Sequence, residues 1–386
     1  ILYHKFTFRK AKIIIFFCYN TIMNFAKKFL IFSVIALLPY FSYAETNQTL
    51  PEKYKDGKTL KILIVPGHDN ENTGAIYNDK KEADLNLALA KKLEIVLKKD
   101  KQFEITVARD NTGYIKKLSD YFDNNKEKVE AFSYQKRMEM AKKISSGQIV
   151  VSEQVVHASA EPEAAYKLLA INMWADENKY DLIIHTHFND YGSHGYSAGE
   201  FDGYSVYVPD ETLPNNEPSK TIGENIGKRL GKIWNTSNAS TELKKIDANG
   251  VIEDSDLIAL GSNGTLSTPS VLIEYSYIYE PIISSIFFNM STVAMARATA
   301  MGLYDYLSVK IKQNSTFTYN WYSNLTTSKT KKSDVLALQY ALSELGYYPP
   351  KGKGRDDCPM TGMFGTCTKT AVKNFQTAKK IQSTGN

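Results

Sequence analysis

Apolar and polar positions follow two different periods along this chain. Short apolar runs rich in β-branched residues are typical of buried strands, and they predict strands over 60–65, 103–108, 182–187, 204–208 and 270–275. Longer amphipathic stretches predict helices over 82–99, 128–144, 163–178, 219–234 and 290–307. Strands interleaved with helices of this length predict an α/β fold, with a twisted, mostly parallel sheet flanked by helices on both faces.

The end of the chain has a different pattern. Residues 309–332 are rich in Ser, Thr, Asn and Lys without a clear period, as in a linker. Apolar residues at helical spacing then predict a helix over 334–345, and a second helix over about 368–379 follows a loop rich in Gly and Pro. The sequence therefore predicts an α/β domain over 59–308 and a small all-α domain over 333–386.

The first 44 residues have the pattern of an export signal. Met23 is followed by two lysines, a short apolar core at 29–38 and a cleavage site with small residues that ends at Ala44. The apolar core is short for a membrane span, so an uncleaved anchor is the weaker interpretation. We interpret residues 1–22 as translated upstream sequence or an extended signal, with 45–58 as a polar tether.

Charge and cysteine content narrow the possible partners. The net charge of +5 is a mild basic excess, and no block of Lys or Arg is dense enough to indicate nucleic acid. Cys18 would leave with the signal, so Cys358 and Cys367 remain as an isolated pair. In an oxidising compartment this pair can form a disulfide, with two free thiols as the alternative.

Polar residues at the ends of the predicted strands are the candidates for chemistry. His68 follows the first strand after a Pro-Gly turn, at the carboxyl end where open α/β sheets bind ligands. Glu82 begins the next helix, and His185 and His187 share one face of a later strand. Glu274 ends a buried-type strand, where an unpaired carboxylate is costly unless a cation or a proton role holds it there.

Each of these residues also has a plain structural interpretation. A histidine after a strand is more often a satisfied polar group than a metal ligand, and Glu82 alone could merely complement the helix dipole. Two histidines and one carboxylate are nevertheless a common ligand set for catalytic zinc, which leaves a position open for water. Of the two histidines in the later strand, His187 at the tip is better placed to bind, and His185 could be packed or support the site.

Taken in order, these motifs resemble the zinc-dependent N-acetylmuramoyl-L-alanine amidases, which cut the bacterial cell wall. The resemblance covers about residues 59–308. The family shows a strand into Pro-Gly-His, a glutamate that opens the next helix, a strand into His-x-Asn and a late Pro-Ser-x-Leu-x-Glu. These stand here as Pro66-Gly67-His68, Glu82, His187-Phe188-Asn189 and Pro269-Ser270-Val271-Leu272-Ile273-Glu274.

The resemblance implies roles for particular residues. It implies that His68, Glu82 and His187 hold Zn²⁺ and that Glu274 is the catalytic general base. It selects His187 over His185, because only His187 precedes x-Asn. Supporting or substrate-side positions are implied for His185, Asn189 and Arg137, the last of which resembles the family's arginine that opens the helix before the second histidine strand.

The chain also departs from the family pattern. Asp69 and Asn70 replace the glycines that commonly follow the first histidine, and Tyr275-Ser276-Tyr277 replaces the usual Gly-Phe after Glu274. We expect both changes to touch the rim of the site and to alter substrate fit rather than metal binding.

An insertion at 145–162 lengthens the segment before the second histidine strand, and it contains Glu153 and His157. We expect a surface insertion; the alternative is a lid or inhibitory flap that supplies a further metal ligand.

The C-terminal part resembles the small peptidoglycan-binding domain of cell-wall hydrolases. The family's Leu-Gln, Leu-Gly-Tyr, Gly-x-Phe-Gly, Thr-x-x-Ala-Val and Phe-Gln elements are present over 333–386, and Gly362 and Gly365 allow a tight loop. The resemblance implies that this module holds the enzyme on its polymer and raises the local substrate concentration.

Together these observations predict an exported zinc hydrolase that cleaves the amide between N-acetylmuramic acid and L-alanine of the stem peptide. Its role would be cell-wall remodelling or cell separation. It would act in the periplasm, or outside the cell at the cell wall, with no stable membrane insertion after signal cleavage and with an activator protein possible but unknown. The alternatives are a zinc peptidase that cuts within the stem peptide and a weakly active or inactive peptidoglycan-binding protein.

Overall fold

A computed structural model describes residues 48–155, 157, 159–190, 197–309, 319, 321, 325 and 331–386. The predicted signal peptide and most of the predicted linker lie outside these residues. Within the described ranges, no helix combines the length and the apolar character needed to cross a membrane.

The described part of the chain alternates strands and helices, as the periodicity predicts. Its strands are β1 (Leu60–Pro66), β2 (Ile76–Tyr77), β3 (Lys80–Lys81), β4 (Phe103–Val107), β5 (Leu182–Asn189), β6 (Ser205–Pro209), β7 (Val251–Asp254) and β8 (Ser270–Tyr277). Its α-helices are α1 (Leu50–Lys55), α2 (Glu82–Leu97), α3 (Lys116–Asn124), α4 (Lys126–Ser145), α5 (Pro162–Glu177), α6 (Asn216–Leu230), α7 (Phe288–Tyr306), α8 (Lys332–Glu344) and α9 (Thr366–Ala378).

Six strands form one mixed sheet in the order β4-β1-β5-β8-β6-β7. The first four of these run parallel, whereas β6 is antiparallel to β8 and β7 is parallel to β6. In this register His187 of β5 lies beside Glu274 of β8. Since parallel strands end at the same edge, the carboxyl ends of β1, β5 and β8 come together there.

Helices cover both faces of the sheet, and the side chains that alternate along β1 enter two separate cores. Ile62 and Ile64 of β1 pack into the core that contains α2, α6 and α7. Leu63 and Val65 point the other way, into the core formed with α3, α4 and α5. Burial of each such aliphatic side chain contributes about 1.5–3 kcal/mol. The predicted fold class, with a helical C-terminal region, is confirmed.

Residues 48–58, predicted as part of a tether, instead contain a short packed helix. Thr49 and Glu52 cap α1 reciprocally, and Leu50 is buried. Lys53 Nζ lies 2.7 Å from a carboxylate oxygen of Asp181, just before β5, and the Tyr54 hydroxyl donates to Asp100. The tether prediction is therefore wrong for this stretch, because these polar residues find partners on the α/β domain.

The C-terminal helices pack directly against the α/β domain. Tyr340 of α8 is 1% exposed, its hydroxyl lies 3.2 Å from Oγ of Ser291 in α7, and its ring centroid lies 5.8 Å from that of Trp234. Arg297 of α7 donates to both carboxylate oxygens of Glu344, at 2.7 and 2.9 Å. Because apolar and ionic contacts both cross this boundary, α8 is docked on α7 and is not held by the linker alone.

A disulfide joins Cys358 to Cys367, as the isolated cysteine pair predicts. It links the loop after α8 to the first turn of α9, and Cys358 lies in the core shared with α8. A module of this size has a small core, so a covalent link of this kind is a usual means of support.

Truncation of Tyr340 should loosen this docking. We expect Tyr340→Ala to lower the free energy of unfolding by about 3 kcal/mol, the usual cost of removing a buried aromatic ring, and to speed amide hydrogen exchange in α7. Tyr347→Ala is the matched control, because the Tyr347 ring packs on Phe375 inside the module. Exchange in α7 that stays at the wild-type rate in Tyr340→Ala would show that the docking contributes nothing to the α/β domain.

Candidate active site

His68 stands at the turn that follows β1, in a backbone conformation that few side chains adopt. Its φ is +61°, in the left-handed region, where a non-glycine residue is strained. The amide of Gly67 donates to the carbonyl of Thr186 on β5, at 2.9 Å, which fixes the turn against the neighbouring strand. The turn thus directs the imidazole of His68 toward the end of β5.

Glu82, the first residue of α2, joins the two histidines. One carboxylate oxygen, Oε2, lies 3.0 Å from Nε2 of His68, and the other, Oε1, lies 3.1 Å from Nδ1 of His187. The Asn86 amide donates to Oε1 at 3.1 Å, and the Ala75 backbone amide donates to Oε2 at 3.1 Å. Glu82 is 5% exposed, so its carboxylate is held in place from several sides.

These three side chains form a group that could hold a metal ion. One ligand atom from each of His68, Glu82 and His187 lies within 4.8 Å of the other two. Gly67 supports this approach, since a Cβ atom there would lie 2.2 Å from the His187 ring. Two imidazole nitrogens and one carboxylate oxygen fit the donor set of a catalytic zinc site.

The charges of the group agree with this arrangement. Burial opposes ionisation of Glu82, but hydrogen bonds from His187 and His68 outweigh it and hold its pKa well below the usual range. Burial also opposes protonation of His68, yet the contact with Glu82 raises the pKa of this histidine. At His187 burial prevails and lowers the pKa. Glu82 is therefore an ionised carboxylate between two imidazoles.

Glu274 lies beside this group. Its Oε1 is 4.0 Å from Nδ1 of His187, as the pairing of β5 with β8 requires. Its other oxygen, Oε2, is buried and has no hydrogen-bond partner among the described residues. Burial raises the pKa of Glu274 well above its usual value, and the charges of Glu82 and Glu242 add to the effect. The site thus places a second carboxylate next to the candidate ligands.

Comparison with known protein families gives two matches. Residues 62–282, more than half of the chain, match the family model described as N-acetylmuramoyl-L-alanine amidase. This chain belongs to the N-acetylmuramoyl-L-alanine amidase family. Residues 331–386 match a second family model, that of a peptidoglycan binding domain. The predictions of an amidase and of peptidoglycan as its partner are confirmed.

Several solved amidase structures are similar to this chain at low sequence identity. They include an N-acetylmuramoyl-L-alanine amidase from Clostridium difficile 630, with 18% identity, a TM-score of 0.41, and coverage of 66% of this chain and 99% of that one. The catalytic domain of CwlV from Bacillus (Paenibacillus) polymyxa var. colistinus has 18% identity, a TM-score of 0.40, and coverage of 65% and 100%. Ami1 from Mycobacterium smegmatis has 14% identity, a TM-score of 0.41, and coverage of 65% of this chain and 98% of that one. Curated protein sequences gave no significant match.

His185 of the amidase is packed inside the sheet and does not join the candidate ligands. It lies on β5 between Val65 of β1 and Leu272 of β8, and it is 1% exposed. Burial, together with the charge of His187, lowers the pKa of His185 to about 3. It is therefore a neutral core residue directly beneath the site, one of the two roles that the sequence left open.

Asn189 and Arg137, the two remaining candidates for supporting roles, lie in different surroundings. Asn189, two residues beyond His187, donates from its side-chain amide to Oε1 of Glu242 at 3.3 Å. Arg137 lies in the middle of α4 and is exposed, and α5 stands between α4 and β5. Arg137 is therefore not at the start of the helix before β5, and the supporting or substrate-side role that the resemblance implies for it stays a prediction.

Arg109 is a buried arginine at the site that the sequence analysis missed. It follows β4 at the same edge of the sheet as His68 and is 2% exposed. Its guanidinium donates to the backbone carbonyls of Pro66 and Gly67, at 3.3 and 3.1 Å, and of Ala83, at 2.7 Å. It thus holds the His68 turn against the start of α2. Its position directly after a strand was the available signal.

The departures from the family pattern have structural explanations. Asp69 accepts backbone hydrogen bonds from Glu71 and Asn72, and Lys167 of α5 lies 3.2 Å from its carboxylate. It therefore shapes the loop after His68. Tyr275 is fully buried, and its hydroxyl lies 2.7 Å from Oγ1 of Thr299 in α7. The expectation that Tyr275 touches the rim of the site is wrong, because its side chain points to the opposite face of the sheet from Glu274.

The insertion at 145–162 makes its contacts away from the candidate ligands. His157 Nε2 lies 2.9 Å from Asp254 at the carboxyl end of β7, and Lys245 donates to the backbone carbonyl of Glu153. Because β7 runs antiparallel to β8, its carboxyl end faces the opposite edge of the sheet from the site. Among the described residues, neither Glu153 nor His157 belongs to the group that could hold a metal.

Addition of a methyl group at Gly67 should disturb the candidate ligands without unfolding the amidase. We expect Gly67→Ala to weaken divalent metal binding by about 10- to 100-fold, because the new Cβ must displace the His187 ring. Equilibrium dialysis with Zn²⁺ would measure the change. Gly365→Ala is the matched control, since its φ is −92° and a Cβ there meets nothing within 4 Å. Wild-type affinity in Gly67→Ala would contradict the predicted role of this close approach.

Proposed function

We propose that this amidase is an exported, zinc-dependent enzyme that hydrolyses the amide between the lactyl group of N-acetylmuramic acid and L-alanine in peptidoglycan. The observation that carries the proposal is the convergence of His68, Glu82 and His187 beside Glu274. These four residues come from four separate parts of the chain: the turn after β1, the start of α2, β5 and β8. Their meeting at one sheet edge fits metal-assisted hydrolysis of an unactivated amide.

The residues of the site divide the chemistry between them. His68, Glu82 and His187 would hold Zn²⁺, which supplies a Lewis acid for the scissile carbonyl and lowers the pKa of a water molecule. Glu274 would accept the proton of the attacking water and later deliver it to the leaving amine of L-alanine. Its position one strand away from His187 suits this role, because the carboxylate lies close to the ligands without being one of them.

Neighbouring groups prepare the ligands for this task. The carboxylate of Glu82 reaches both imidazoles and thereby orients them. Asn86 donates to Glu82 and also to the carbonyl of Gly67, and Arg109 donates to the same carbonyl. Such outer hydrogen bonds restrict the rotamers of metal ligands and usually affect metal affinity strongly.

Two observations support action outside the cytoplasmic membrane. The Cys358–Cys367 disulfide is of the kind that persists in oxidising compartments. The pattern from Met23 to Ala44 is that of a secretory signal peptide. The C-terminal module matches a peptidoglycan binding domain, and peptidoglycan also lies outside the cytoplasmic membrane.

Removal of single groups should separate metal binding from proton transfer. We expect His68→Ala and His187→Ala to lose bound zinc. Glu274→Gln should keep one zinc per chain and lose turnover by about 10²- to 10⁴-fold, the usual contribution of a general base. Metal analysis and a peptidoglycan cleavage assay on residues 45–386 would measure both effects. A wild-type rate in Glu274→Gln would show that the proton-transfer role is assigned to the wrong residue.

The identity of the products tests the proposed bond. Digestion of purified peptidoglycan should release intact stem peptides with a free L-alanine amine and leave free lactyl groups on the glycan. Shortened stem peptides would instead indicate a peptidase. Retention on the polymer without zinc or cleavage would leave a wall-binding protein, and treatment with a chelator should abolish cleavage by the active enzyme.

A further inference from the structure

We propose that Glu242 is a positioning residue for Glu274, because its buried carboxylate connects the strands on both sides of β8. The inference rests on the role proposed above for Glu274. Glu242 lies between α6 and β7, outside the motifs that carry the family resemblance.

Glu242 lies in a hydrogen-bonded turn, and its side chain points into the protein. Its backbone amide donates to the carbonyl of Ala239 at 3.0 Å, and its carbonyl accepts from Lys245 and Ile246 at 2.8 and 2.9 Å. The residue is 2% exposed. The carboxylate therefore has a fixed position and is shielded from solvent.

One oxygen of this carboxylate collects hydrogen bonds from two strands. Oε1 of Glu242 accepts from the side-chain amide of Asn189 on β5 at 3.3 Å. The same atom accepts from the hydroxyl of Ser205 at 3.2 Å and from that of Tyr207 at 2.5 Å, both on β6. A single acceptor thus joins β5 to β6.

Glu274 lies between the strands that Glu242 connects. β8 is placed between β5 and β6, and Glu274 pairs with His187 on one side and with Ser205 on the other. Directly paired residues of neighbouring strands place their side chains on the same face. Glu242 therefore holds Ser205, which pairs directly with Glu274 on β6, and Asn189, which follows His187 by two residues on β5 and pairs with Tyr277 of β8.

The energetics argue that this acid is kept for more than stability. A buried carboxylate is costly unless a cation or hydrogen bonds compensate it. No cation within the described ranges pairs with Glu242, and its Oε2 is buried without a hydrogen-bond partner among those residues. Three donors to one oxygen offset only part of this cost, so an apolar residue without an acceptor oxygen would serve a purely structural role at least as well.

Comparison of Glu242→Ala with Glu242→Gln in the full chain tests the inference. Glu242→Ala removes the shared acceptor, and we expect kcat to fall by about 10- to 100-fold with KM and zinc content unchanged, since small misplacements of catalytic groups have effects of this size. Glu242→Gln keeps an acceptor oxygen and should retain most of the wild-type kcat. Glu253→Gln is the control, because Glu253 accepts from Lys220 and Asn216 at the far end of β7.

Crystal structures of the two Glu242 variants provide a readout that does not depend on turnover. The distance from Glu274 Oε1 to His187 Nδ1, 4.0 Å in the wild-type chain, should lengthen in Glu242→Ala and be restored in Glu242→Gln. An unchanged distance together with a wild-type kcat in Glu242→Ala would overturn the inference. Equal losses of kcat in the Ala and Gln variants would also overturn it, because the effect would then come from the charge and not from the acceptor.

Smaller changes keep the test decisive if Glu242→Ala does not fold. Tyr207→Phe and Ser205→Ala each remove one donor to Glu242, and we expect each to lower kcat several-fold without a change in KM. Wild-type kcat in both variants would contradict the inference. Parallel assays of the wild-type enzyme and Glu274→Gln separate this inference from the proposed function. Cleavage by the wild type and none by Glu274→Gln would support the role of Glu274. If the Glu242 variants then had a wild-type kcat, only the inference about Glu242 would fail.

Discussion

The contact of one carboxylate with two imidazoles determines much of this structure. Glu82 reaches His68 with one oxygen and His187 with the other, at 3.0 and 3.1 Å. For this to occur, β1 and β5 must be adjacent and parallel, and α2 must return to the sheet edge in its first turn. The turn at Gly67 must also leave room for the His187 ring. The small polar cluster of Glu82, His68 and His187 therefore depends on the strand order, on the position of α2 and on the backbone conformation at Gly67.

Several buried polar side chains support that cluster and the strands around it. Arg109 binds the carbonyls of the His68 turn, Asn86 binds both Glu82 and Gly67, and Glu242 joins β5 to β6. Buried polar groups of this kind stabilise a fold little, because their hydrogen bonds largely replace those made to water. They do restrict the orientation of the groups that they contact. Precise placement of the site is the benefit that accounts for their presence.

The C-terminal module adds a second constraint. A flexible linker alone would let a wall-binding module raise the local concentration of substrate in any orientation. Here the Tyr340 ring and the Arg297–Glu344 ion pair fix α8 on α7, so the module and the catalytic edge share one core. The C-terminal module is therefore held in a fixed position on the α/β domain.

The sequence by itself determined the fold class, the strands that carry the site and the family motifs, because apolar periodicity and Pro-Gly-His turns are local signals. It missed β7, which is only four residues long, and α1, whose polar residues find partners far away in the chain. Arg109 and Glu242 acquire their roles only from carbonyls and hydroxyls that folding brings to them. Tertiary structure also decided that His185 is packed in the core and that Arg137 is exposed in the middle of α4, since burial and helix order depend on packing.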